Sequence, residues 1–175
     1  MESYVFRDTV TGFDEYDISG TEYKKLLELC CRYSATMSLI MVDRNLPFLR
    51  ELEPFRVSKK NNINFMHDDY GAQRNEVRYY RVCNEVIDIL FNNGNGLFAY
   101  TDKKGYSNPN DTTFYRNDGS VFFTCIVHEG IGILLPREDE DISNVVEVGN
   151  WNKAEVTKVI STYAGKNSCY TYKVN

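Results

Sequence analysis

The stretch from Thr112 to Arg137, TTFYRNDGSVFFTCIVHEGIGILLPR, constrains the fold of this chain more than any other. Within it, Val121, Phe122, Phe123, Thr124, Cys125, Ile126 and Val127 form a β-branched and aromatic run with little alternation. That is the pattern of an interior strand covered on both faces. Asn117-Asp118-Gly119 joins this run to a preceding strand, Thr112 to Arg116, because Asp-Gly supplies the positive φ angles that a hairpin turn needs. His128-Glu129-Gly130 turns the chain into Ile131 to Leu135, and Pro136 ends that strand because proline has no amide hydrogen for the ladder. The expectation is an antiparallel meander whose middle strand is central in the sheet.

The remaining elements are read around that meander. Tyr4-Val5-Phe6 begins a strand, expected to form a hairpin with Phe13 to Ile18. Ser19 with Glu22 predicts a capping box, and Tyr23, Leu26, Leu27, Cys30 and Tyr33 then recur at helical spacing, giving a first helix. Met37 to Val42 reads as a strand, and Pro47 and Pro54 interrupt the chain after it. Phe55-Arg56-Val57 is a short strand, and Ser58 to Asn75 is polar enough to predict a long surface loop or lid. Val77 to Val82 predicts a strand and Asn84 to Phe91 a helix, capped by Asn84 and ended by Asn92-Asn93-Gly94. Asp102 to Asp111 is a loop. Asp141 caps a short helix, Trp151 closes over the core, Lys153 to Thr162 predicts a last helix, and Cys169 to Val174 an edge strand. The fold class is therefore α+β, a mostly antiparallel sheet with a central meander in the C-terminal half, packed by two main helices in a single domain, 1–175.

Length and composition narrow the function classes. A chain of 175 residues buries a sizeable core without staples. The opening MESYVFRDTV has neither the basic start nor the apolar stretch of a signal peptide, and no apolar run approaches the roughly 20 residues of a membrane helix. Five cysteines, Cys30, Cys31, Cys83, Cys125 and Cys169, lack CxxC spacing. They read as reduced thiols, which with the other features predicts a cytoplasmic protein away from the membrane. The two histidines, His67 and His128, are too few for the usual metal sets, so no metal or other cofactor is expected.

A net charge of −5 argues against a nucleic-acid binder, whose affinity rests on neutralising phosphates. The acidity is localised: residues 1–21 and 136–150 each carry a net of −4, and the rest of the chain is basic by +3. Glu138-Asp139-Glu140-Asp141 is the densest acidic run, and the first segment adds Asp14, Glu15 and Asp17. A run of like charges is ordinarily a solvated loop. The functional alternative is a surface complementary to a basic partner, steering its association.

Catalytic candidates are weaker. His128 beside Glu129 suggests general acid and base chemistry, but adjacent strand residues point to opposite faces. Cys125 three residues before His128 faces the same objection and reads as a core thiol. Asp68-Asp69 lacks further cation ligands at a recognisable interval. No Gx₄GK[ST], HExxH or GxSxG motif occurs. An enzyme is thus the less favoured class, represented by a small hydrolase or transferase with a site near His128 and the Ser58 to Asn75 loop as its lid. A structural or regulatory binding module is the other alternative.

From Tyr115 to Trp151, YRNDGSVFFTCIVHEGIGILLPREDEDISNVVEVGNW, the chain resembles small acidic immunity proteins of polymorphic toxin systems in Gram-positive bacteria. The shared pattern is hairpin, proline stop, acidic run and Asn-Trp, extended by the YVFRD opening and the first helix. The resemblance implies a cytoplasmic inhibitor that binds and neutralises a cognate toxin domain and is not itself an enzyme. It leaves the toxin's chemistry open, a nuclease among the options. The positions matching the acidic part of the pattern are Glu138, Asp139, Glu140 and Asp141.

Overall fold

The computed structural model describes residues 3–7, 18–41, 47–63, 75–94, 96–97, 110–126, 131–158 and 171–174. Their strands are β1 (Ser3–Arg7), β2 (Thr36–Met41), β3 (Arg56–Ile63), β4 (Asn75–Arg81), β5 (Asn110–Tyr115), β6 (Val121–Ile126), β7 (Ile131–Leu134), β8 (Trp151–Lys158) and β9 (Thr171–Val174). All nine join one sheet in the order β3-β4-β2-β5-β6-β7-β1-β8-β9, and every pairing is antiparallel. The helices are α1 (Gly20–Tyr33), α2 (Pro47–Leu52), α3 (Asn84–Asn93) and α4 (Ser143–Val146), with a 3-10 turn at Glu53–Phe55. This is the expected α+β class, with β6 as the middle strand.

The core forms because residues from both sources bury their apolar sides together. Tyr23, Leu26, Leu27, Leu29 and Cys30 of α1 are buried, and so are Val86, Ile87 and Leu90 of α3. They pack with Met37, Leu39 and Met41 of β2 and with Phe114, Phe122, Phe123, Cys125 and Leu134 of the meander. A second cluster, including Val5, Ile40, Val77, Tyr79, Tyr115, Ile133 and Leu135, gathers the residues of opposite parity. Fully burying each such side chain contributes about 1.5–3 kcal/mol.

An irregularity in the β5–β6 ladder explains why the central run fails to alternate. Phe114 pairs with Phe123, but Tyr115 pairs with Val121, so Phe122 is an extra residue on β6. Such a bulge breaks the period of two. Phe122 and Phe123 consequently join the same cluster, beneath α1. The turn also differs from the expected one. Within the turn Gly119 alone has a positive φ, 82°, with its N–H donating to the Arg116 carbonyl at 2.9 Å and the Arg116 N–H to the Ser120 carbonyl at 2.8 Å. That geometry is a type I turn followed by a left-handed glycine, so Asp118 needs no positive φ.

Several other expectations are corrected. Both edges of β1 are occupied, by β7 and β8, so β1 is not half of a hairpin with Phe13 to Ile18; residues 8–17 lie outside the described residues. Ser19 precedes α1 without a side-chain cap; its carbonyl accepts from the Glu22 and Tyr23 N–H groups at 3.2 and 3.3 Å. The N-cap of α3 is Cys83 rather than Asn84. Pro47 does not break the chain but opens α2, where a missing amide hydrogen costs nothing.

The predicted lid begins inside β3, which extends to Ile63 because the outermost strand of a sheet tolerates polar, lysine-rich sequence; residues 64–74 lie outside the description. Lys153 to Thr162 is not a helix: through Lys158 it is β8, and pairing with β1 and β9 on its two sides overrides the helical spacing. Trp151 does close over the core, packed on Phe6 and Phe123 with ring centroids 5.7 and 6.5 Å away. Gly149 permits this placement, since a Cβ there would lie 2.7 Å from the Trp151 ring.

Candidate functional site

The exit from the meander is organised by a residue the sequence did not single out, Arg116. The side chain is buried, yet its guanidinium meets acceptors on every side. Nε donates to Glu140 Oε1 at 2.6 Å and Nη2 to Glu140 Oε2 at 2.5 Å, a bidentate pair. Nη1 donates to the Val121 carbonyl and Nη2 to the Leu135 carbonyl, both at 2.6 Å. The guanidinium carbon also stands 5.2 Å from the centroid of the bulged Phe122 ring. Arg116 thus ties the β5–β6 turn, the end of β7 and the acidic loop into one clasp.

The clasp divides the acidic run. Glu140 is a structural acceptor: besides Arg116 it takes the Arg137 backbone N–H at 2.7 Å. Burial pushes its carboxyl up, but these hydrogen bonds and the two arginine charges outweigh that and hold it below its ordinary value. Asp141 accepts from the Ser143 N–H at 3.0 Å and the Ser143 hydroxyl at 2.7 Å, which holds the carboxyl below its usual range; it is not the expected cap of α4, because the N-cap is Ile142, one residue later. The Tyr33 hydroxyl at the end of α1 accepts from the Asp141 backbone N–H at 3.0 Å. Glu138 and Asp139, at the turn between, are exposed and form no salt bridge among the described residues, although the Arg137 guanidinium feels the Asp139 charge. Of the four carboxylates expected to meet a partner, the structure brings two to the surface without internal bonds, engages Asp141 locally with Ser143 and withdraws Glu140. Asp14, Glu15 and Asp17 lie outside the described residues.

A second arginine braces the outside of the same turn. Arg137 pairs with Asp118 and donates to the Ser120 hydroxyl at 2.9 Å. Asp118 also accepts from the Ser120 N–H at 3.0 Å. Hydrogen bonds from Arg137 and then Ser120 hold its carboxyl far below the ordinary range.

The catalytic candidates gain nothing. Cys125 is buried and accepts from the Thr112 N–H at 3.3 Å, as a core thiol. His128, Glu129, His67, Asp68 and Asp69 lie outside the described residues. Another charged cluster, also missed in the sequence, lies near the β3 margin. Arg78 Nε donates to the buried Glu76 at 2.5 Å, and its Nη1 to Glu53 at 3.3 Å, which Arg56 also meets. Its two acids and two bases neutralise each other, a structural network. Among the described residues, no three His, Cys, Asp or Glu side chains converge to hold a metal ion, and no helix is long and apolar enough to cross a membrane. No family model, curated protein or solved structure matches this chain.

Proposed function

We propose that this protein is a cytoplasmic inhibitor of the immunity type, which neutralises a cognate toxin domain by placing the Glu138–Asp139 turn against a basic surface on it. One observation carries the reading: two adjacent exposed carboxylates sit on a loop that Arg116 fastens to the central strands from below. Like charges held this way repel each other, and a basic partner relieves the repulsion. The loop is already ordered, so binding loses little conformational entropy there. Charged groups at such a rim act mainly on association rate and on the choice of partner. A nuclease, whose active groove is shaped for phosphates, is the partner chemistry this surface suits best.

The test is co-production with whatever toxin domain a neighbouring gene encodes, together with a charge-reversed variant. Wild-type protein should keep cells alive and bind the toxin. Glu138→Lys with Asp139→Lys should leave the Tm unchanged but slow association by roughly tenfold or more at low salt, the gap closing as salt is added. Cell death despite abundant soluble wild-type protein would refute the inhibitor reading. Unchanged association kinetics in the variant would move the contact elsewhere.

A further inference from the structure

The four described cysteines are of two kinds. Cys30 and Cys125 are fully buried, whereas Cys31 and Cys83 are half-buried. Cys31 stands in the last turns of α1, and Cys83 is the N-cap of α3, the helix packed beside it. The Cys31 thiol points across this junction, donating to Asn84 Oδ1 at 3.5 Å, on the residue next to Cys83. Burial, then the neighbouring Cys83 and Glu85, raise the Cys31 thiol above its ordinary value, so the two sulfurs feel each other's charge. Cys30 is no competitor for Cys31, because consecutive Cα atoms are about 3.8 Å apart and a disulfide ordinarily spans about 4.4–6.8 Å.

From this juxtaposition we propose that Cys31 and Cys83 form a redox-responsive dithiol, which a peroxide closes to a disulfide tying the end of α1 to the start of α3. In the first step one thiolate attacks the peroxide O–O bond and becomes a sulfenic acid, and the leaving oxygen departs as water or alcohol after taking a proton. The second thiol then displaces the sulfenic oxygen as water, forming the S–S bond. Two electrons pass to the peroxide, and both thiol protons leave in the oxygen products. Because the Cys31 thiol must ionise to react, closure is faster at higher pH.

The experiment is peptide mapping of the folded wild-type protein under non-reducing conditions, before and after hydrogen peroxide. The expected product is an intramolecular link between the peptides carrying Cys31 and Cys83, absent from Cys31→Ser and from Cys83→Ser. With it comes an upward Tm shift on the order of 5 °C that dithiothreitol reverses. Free thiols at both positions after treatment, or a link from either to Cys30, Cys125 or Cys169 in its place, would overturn the proposal. Since the mapping uses wild-type protein, poor folding of a serine variant does not obscure the answer.

Discussion

Two arginine–carboxylate pairs brace the same turn, and they differ in almost everything except chemistry. Arg116 and Glu140 leave only 7% of either side chain exposed, and Arg116 has two backbone carbonyls besides. Arg137 and Asp118 are 45% and 53% exposed and share only a serine. In water-poor surroundings a charge that loses its partner has nothing to replace it, whereas an exposed one is resolvated at once. The inner pair makes the loop, and the outer one merely decorates it.

The largest effect should come from removing the inner arginine. Arg116→Ala takes this donor from the Val121 and Leu135 carbonyls and leaves Glu140 with only the Arg137 N–H, and should cost about 3–5 kcal/mol in chemical denaturation. A loss below about 1 kcal/mol would erase the distinction between the pairs. Glu140→Gln, which keeps the shape but not the charge, should cost less, about 1–3 kcal/mol at neutral pH.

The inner pair also has a pH signature. Glu140 is held below its ordinary 4.5 in the folded protein, so its contribution is present above that value and fades as pH falls through the folded one. The stability gap between wild type and Glu140→Gln should therefore narrow in acid. Asp141, also lowered, leaves an acid limb common to both proteins. A gap that stayed constant from neutral pH to strong acid would contradict this assignment. The smallest effect belongs to Arg137→Ala, for which we expect no resolvable Tm change; a clear loss would mean that the outer pair also holds the loop.

The parts of this fold that were legible in sequence are those whose signals are local. The meander declared itself through Val121 to Val127 and its glycine, and α1 through apolar residues at helical spacing. What failed was local pattern outweighed by distant partners. The polar segment from Ser58 becomes a strand because β4 supplies its ladder, and the segment from Lys153 becomes one because β1 and β9 flank it. The acidic run was visible, but its division was not: Glu140 differs from Glu138 only because Arg116, 24 residues earlier, reaches it. A single arginine between an aromatic strand and an Asp-Gly turn was the one available hint. Phe122 was legible as core, though the bulge that turns it beneath α1 was not.

The position of β1 bears on how the protein is made. Tyr4, Val5 and Phe6 leave the ribosome well before their neighbours, Ile131 to Leu134 on one side and Trp151 to Ala154 on the other. Until translation has passed those positions, an apolar strand waits without either partner, the circumstance in which nascent chains recruit chaperones or pair wrongly. A chain stopped just after α4 would satisfy only one edge of β1 and leave the other open to a neighbouring molecule. Termination between α4 and β8 should therefore cause aggregation more than simple loss of activity.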